Sequence, residues 1–335
     1  MNLSDNKYLA NNYSHIYVEK EAFEYPITKT ILNHFKNSTV ITINHYKDMF
    51  NRSKQDFVLQ KKAQSLILAV NNSELIYPGA RFCQSFGNAN FYYTSNIMNC
   101  IYDCEYCYLQ GMYPSGNMVI FVNIEDYFRK ISDKLKEHPL YLCISYDTDI
   151  LAVEELTHIT SMWIDFAAKN PELTIEIRTK SAFSVDRLKN CNLPNIIFAW
   201  TLSPESITKY EHYAPSLDLR LKAISNALTL GCNVRLCFDP MIKIPDYQNI
   251  YGELYKKVFE TIDGNKIFDV SIGVFRISSD YLKSMRRKRH CAITAYPYEN
   301  SNGICSYEQK KSDEMLTFAR LELSKYICSD KIYGL

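Results

Sequence analysis

Apolar positions along this chain fall into two alternating rhythms. Short β-branched or wholly apolar runs recur at Phe91–Ser95, Met118–Val122, Leu140–Ser145, Leu173–Thr179, Ile196–Leu202, Val234–Phe238 and Phe268–Phe275. Between them lie segments with helical spacing: Glu125–Glu137, Glu154–Lys169, Leu217–Leu230 and Tyr251–Ile262, the last closing near the stop signal Asp263-Gly264. Repeated βα units predict a parallel sheet with crossover helices. Upstream, Ile16-Tyr17-Val18, Ser38–Ile43 and Ser65–Val70 read as strands, and Tyr25–Lys36 as a helix with Pro26 near its start. After Ile277 the alternation stops. Ser284–His290 (SMRRKRH) reads as a basic surface turn, and Glu308–Ile327 as a closing amphipathic helix. The pattern therefore divides the chain into an N-terminal α/β region (1–86), a repeating βα domain (87–277) and a C-terminal region (278–335).

Composition adds little to this and removes some options. With 335 residues, 47% of them hydrophobic and 22% charged, the chain suits one barrel-sized domain with extensions. A formal charge of +1 offers no global field for nucleic acid, so any DNA surface must be a local patch. There are eleven cysteines, and the opening MNLSDNKYLANNYSH contains no apolar core of a secretory leader. The expectation is a cytoplasmic, reduced protein whose thiols are ligands, reactants or core filler.

The chemistry concentrates in Asn96–Asn123, where Cys100, Cys104 and Cys107 stand in a C-x3-C-x2-C spacing. A cubane [4Fe-4S] cluster normally takes four thiolates, so three leave one iron open. Radical S-adenosylmethionine (SAM) enzymes use such an open iron to bind SAM before cleaving it reductively. A structural zinc site needs four closed ligands at paired short spacings. No histidine lies near this triplet and no second C-x2-C follows it.

The same stretch, Cys104-Glu105-Tyr106-Cys107-Tyr108-Leu109-Gln110 followed by Val119-Ile120-Phe121-Val122-Asn123, resembles the spore photoproduct lyases, as do Ile16-Tyr17-Val18-Glu19 and Glu24-Tyr25-Pro26. That resemblance implies a partial (β/α)6 TIM-like barrel of the radical SAM type. It also implies repair of a thymine–thymine adduct in double-stranded DNA, with electrons from a flavodoxin- or ferredoxin-type donor. In that chemistry a deoxyadenosyl radical takes hydrogen from C6 of the adduct, the methylene bridge breaks, a protein hydrogen quenches the thymine radical, and SAM is re-formed. The implied SAM contacts are Tyr106, Thr148, Lys180, Thr201, Ser203 and Arg220, and the implied cluster ligands are the three cysteines. For Arg220 a helix-surface salt bridge is the competing reading. Tyr106 and Tyr108 flank Cys107 either as members of a hydrogen-atom relay or as a wall against water. The run Arg286, Arg287, Lys288 and Arg289 suits phosphate contacts without sequence reading, or is a solvated surface. Other enzymes share the triplet, so a paralogue acting on another substrate, or a DNA-damage binder with a structural cluster, stays open.

One position departs from the family. Aligning Asp149-Ile150 and Leu156 with its pattern puts Tyr146 where the hydrogen-donating cysteine belongs, followed by Asp147 and Thr148. Three replacements compete. Tyr146 itself is one. Cys143, three residues upstream on the same strand, is expected to face the surrounding helices if Tyr146 faces the interior. Cys83 lies in the glycine-bounded loop Gly79–Asn88, which can fold over the barrel mouth, and is the preferred assignment.

Overall fold

The structure, a computed structural model, describes residues 13–80 and 83–334. Residues 1–12, on which the reading of a missing secretory leader falls, and Arg81 and Phe82 of the Cys83 loop lie outside the described residues. Among the described residues no helix is long and apolar enough to cross a membrane.

Two sheets carry the molecule. The larger runs Tyr77–Pro78, Phe91–Tyr93, Leu140–Cys143, Leu173–Thr179, Ile196–Thr201, Asn233–Met241, Asp269–Val274 and Ile332–Gly334. Only the Tyr77–Pro78 edge is antiparallel; the other strands are parallel neighbours and curl into a half-barrel. Ile159–Ala168, Leu217–Thr229 and Tyr247–Thr261 are the crossover helices between successive strands. Strands buried on both faces read as continuous apolar runs, and Ile196–Thr201 is buried at every position.

The smaller sheet orders Thr39–Ile43, His15–Glu19, Leu66–Ala69, Met118–Phe121 and Ile97–Met98. Here the structure corrects the reading of Met118–Val122. That run forms a strand, but it pairs with Leu66–Ala69 in register Leu66↔Met118 and so belongs to the N-terminal sheet. A four-residue apolar run satisfies any fully buried slot, and only its long-range partner decides which sheet it joins. The helix expected over Glu154–Lys169 is also broken, at His158 in the left-handed region (φ 54°). Glu154 folds back to accept the amides of Thr160 (2.7 Å) and Ser161 (3.1 Å), capping the second piece, Ile159–Ala168.

The supposed basic turn is the end of a helix, Ser279–Lys288. Leu282 and Met285, three residues apart, bury one face of it, and a basic last turn suits the negative end of the helix dipole. Two buried indoles fix the loops that matter below. Trp163 donates to Asn96 Oδ1 (2.7 Å), at the head of the cysteine loop. Trp200 donates to the Ser181 carbonyl (3.0 Å), just past Lys180.

Candidate active site

The candidate residues gather at the C-terminal ends of the parallel strands, where barrel enzymes place their chemistry. Lys180 follows Leu173–Thr179, Thr201 ends Ile196–Thr201, and the cysteine loop follows Phe91–Tyr93.

The base of that loop is tied by Asn99, whose amide donates to the carbonyls of Ser115 (2.7 Å) and Asn117 (2.6 Å). Asp103–Cys104 pairs antiparallel with Glu211–His212. The Cys107 amide donates to the Cys104 carbonyl (3.1 Å), and the single turn Leu109–Met112 follows. All three thiols are free. Burial pushes Cys100 up to about 11, Cys104 to about 12 and Cys107 to about 11, so ligation must displace their protons. Two ammonium groups stand ready to offset thiolate charge. Lys61 donates to the Cys100 carbonyl, and Lys180 Nζ lies 4.0 Å from Cys104 Sγ. Among the described residues no three His, Cys, Asp or Glu side chains are arranged to hold one metal ion. A cubane makes a different demand, one thiolate for each of three irons, and three thiols on one loop with cations beside them fit it.

Beside the loop the structure assembles a group that the sequence did not announce. Glu211, fully buried, accepts from Tyr106, from Ser203 (3.1 Å) and from Arg220, and pairs with Lys180 at 3.5 Å. Four of the six implied SAM contacts therefore meet at one carboxylate. Burial alone would raise the Glu211 carboxyl, but Lys180 and Arg220 overcome it and hold it down at about 2. Burial likewise works against the Lys180 charge, and Cys104, Glu211 and Tyr106 more than offset it. Arg220 is fully buried, donating also to the carbonyls of Pro215 (2.9 Å) and Thr201 (3.1 Å), so its salt bridge is not a surface one. Thr148 is buried and its hydroxyl has no partner among the described residues. Glu211 sits in a two-residue strand, too short for any periodicity to mark it.

The other flank of the loop leads to the hydrogen-return candidates. The Tyr108 hydroxyl donates to the Tyr146 carbonyl, and Tyr146 OH lies 3.6 Å from Cys83 Sγ. The Tyr146 ring stacks on Tyr93 with centroids 4.0 Å apart. Asp147 is buried beside them, with Oδ1 unpartnered among the described residues. The reading of Cys143 needs correction. Its strand ends at Cys143, so strand alternation does not extend to Tyr146. Tyr141, on the same face as Cys143, bonds Glu176 and Arg235 inside the half-barrel, so Cys143 points inward rather than at the helices.

The four basic residues do not act together. Arg286 donates to the carbonyls of Thr294 (2.7 Å) and Tyr296 (2.8 Å). Lys288 donates to those of Gln110 (2.7 Å) and Tyr113 (2.6 Å), and Arg289 pairs with Asp103 at 2.6 Å. Arg287 is exposed.

Compared with known proteins, the chain matches the family described as Spore photoproduct lyase over residues 12–328. It belongs to the spore photoproduct lyase family. The spore photoproduct lyase of Clostridium acetobutylicum is 25% identical over 297 residues, covering 84% of this chain and 82% of the relative. That of Bacillus subtilis (strain 168) is 22% identical over 256 residues, 72% of each chain. Among solved structures, a spore photoproduct lyase complexed with dinucleoside spore photoproduct superposes with TM-score 0.81 at 17% identity, over 97% of this chain and 99% of that one. A double mutant of spore photoproduct lyase with bound AdoMet and dinucleoside spore photoproduct gives TM-score 0.79 at 18% identity, over 96% and 97%. At such identities the likeness carries the fold, and it bears out the partial barrel expected for the spore photoproduct lyases.

Proposed function

We propose that this member of the spore photoproduct lyase family is a cytoplasmic radical SAM lyase that returns the spore photoproduct, 5-thyminyl-5,6-dihydrothymine, to two thymines in double-stranded DNA. A flavodoxin- or ferredoxin-type protein supplies its electrons. Cys100, Cys104 and Cys107 hold a [4Fe-4S] cluster. Lys180 offers its ammonium to the carboxylate of SAM, within a frame made by Tyr106, Ser203, Thr201 and Arg220, and Thr148 offers its unused hydroxyl. When bound, cluster and cofactor supply the 5′-deoxyadenosyl radical that takes a hydrogen from C6 of the adduct.

The observation that carries this reading is a continuous contact from the cysteine loop to a thiol. The hydroxyl of Tyr108, next to Cys107, bonds the Tyr146 backbone carbonyl, the two rings lie with centroids 5.9 Å apart, and the Tyr146 hydroxyl meets Cys83. Cys83 gives its S–H hydrogen to the thymine radical that remains after the bridge breaks. Its sulfur radical recovers a hydrogen atom from the Tyr146 hydroxyl, Tyr146 recovers one from Tyr108, and Tyr108 takes back from 5′-deoxyadenosine the hydrogen first removed at C6, so that SAM is re-formed. Phenols serve because the ring delocalises the unpaired electron. Arg287 supplies a phosphate contact from the exposed face of its helix.

Reduction of the reconstituted protein with SAM is expected to release 5′-deoxyadenosine, and Cys104→Ala to lose both iron–sulfur loading and that product. Full iron content in Cys104→Ala overturns the ligand assignment. With dinucleotide adduct as substrate, Cys83→Ala is expected to keep SAM cleavage while diverting the thymine radical to by-products. Normal thymine yield from Cys83→Ala, with loss in Tyr146→Phe, gives the donor role to the tyrosine.

A further inference from the structure

We propose that Lys288 and Arg289 are positioning residues that brace the cysteine loop from the C-terminal region, and are not phosphate ligands. The helix Ser279–Lys288 lies directly on the single turn Leu109–Met112 that follows Cys107. Their contact is backbone to backbone, since a Cβ at Gly111 would fall 2.5 Å from the Tyr281 carbonyl oxygen. Lys288 then takes two carbonyls at the end of that turn, Gln110 and Tyr113, at 2.7 and 2.6 Å. Carbonyls at a helix end lack partners within the helix, so one ammonium closes the turn and fixes its distance from the longer helix.

Arg289 reaches the other side of the loop. Asp103, its partner, stands between Cys100 and Cys104, and the two side chains are only 10% and 6% exposed. The pair is single-pronged: Asp103 Oδ1 and Arg289 Nη1 are buried without partners among the described residues. A buried pair with unused polar atoms is a poor source of stability. What it does provide is a fixed place for Asp103, and hence for Cys104 beside it. A lysine with two donors spent on carbonyls, and an arginine held by a buried carboxylate, can reach phosphate only by releasing the loop.

The brace is testable in the full-length protein, with Arg287→Gln as the contrast. In the apo chain, Lys288→Met and Arg289→Gln are expected to speed amide hydrogen exchange across residues 100–113 roughly tenfold, as local opening becomes easier; Arg289→Lys restores protection and Arg287→Gln leaves it unchanged. Duplex binding should lose about 0.9 in salt slope for Arg287→Gln and nothing for the other two. In the reconstituted protein, Arg289→Gln leaves the Asp103 charge uncompensated and shifts the cluster to a more negative reduction potential, which Asp103→Asn in the same chain reverses. That arm rests on the cluster reading; the exchange arm does not. Unchanged exchange in both variants, or a reduced salt slope in Lys288→Met and Arg289→Gln, overturns the brace.

Discussion

Two buried arginines sit in nearly the same company and serve different ends. Arg220, at the mouth, bonds Glu211, which also receives the Tyr106 hydroxyl. Arg235, inside the half-barrel, bonds Glu176, which also receives the Tyr141 hydroxyl. Both carboxyls are held below their usual value: burial opposes the charge in each, and neighbouring cations prevail. The difference lies in how the charges are shared. At the mouth two cations, Lys180 and Arg220, pair with one carboxylate. Inside, two arginines share two carboxylates: Arg235 holds Glu176 and Asp269 (2.6 Å to Oδ2), with the Phe86 ring 3.2 Å from its guanidinium carbon, and Arg178 also bonds Glu176 at 3.1 Å. The interior set is closed upon itself, whereas Lys180 still faces Cys104 and is able to take an anionic ligand. A shifted pKa alone does not separate an active site from a structural ion pair; an unshared charge does.

The comparison breaks most visibly at Arg235. Arg235→Met strands Asp269 in the interior and is expected to cost about 3–5 kcal/mol of stability, read by denaturant unfolding, with SAM affinity unchanged in whatever fraction stays folded. If SAM binding falls with it, the interior network is not merely structural. Lys180→Met should do the reverse. Loss of one charge-assisted contact of about 1.5–3 kcal/mol weakens SAM binding roughly ten- to hundredfold, while the unfolding midpoint falls less than in Arg235→Met, because Arg220 still pairs with Glu211. Titration calorimetry that finds equal affinity would remove Lys180 from the cofactor site. A third effect shows only in acid. The Glu211 carboxyl titrates at about 2 in the fold against an ordinary 4.5, so its stabilisation is complete above 4.5 and drains away as pH falls towards 2. Unfolding curves across that window should show this slope in the native protein and lack it in Glu211→Gln.

How much could be read from the chain depends on how local each signal was. Leu173–Thr179 forms as a strand over the span its β-branched pattern indicated, because periodicity and burial are properties of consecutive residues. The C-x3-C-x2-C triplet was legible for the same reason. Met118–Phe121 looked like its neighbours but joined another sheet, since its partner lies about fifty residues upstream. Glu211 was invisible because its meaning comes from Tyr106, Lys180 and Arg220, brought together only by folding. The basic run shows the reverse case. Four adjacent cations suggest one surface, yet Lys288 at the helix end and Arg289 in the extended residue after it turn onto the loop while Arg287 faces water.

The meeting of Cys83 with Tyr146 also bears on how the protein endures air. Two thiols at such close quarters would be open to oxidative cross-linking, which would silence both. A thiol facing a phenol cannot form a disulfide with it, so its first oxidation products are sulfenic acid or a mixed disulfide, both undone by ordinary thiol reductants, and only further oxidation to sulfinic acid is lasting. The half-buried sulfur is thus protected less by its walls than by the choice of oxygen, rather than a second sulfur, across from it.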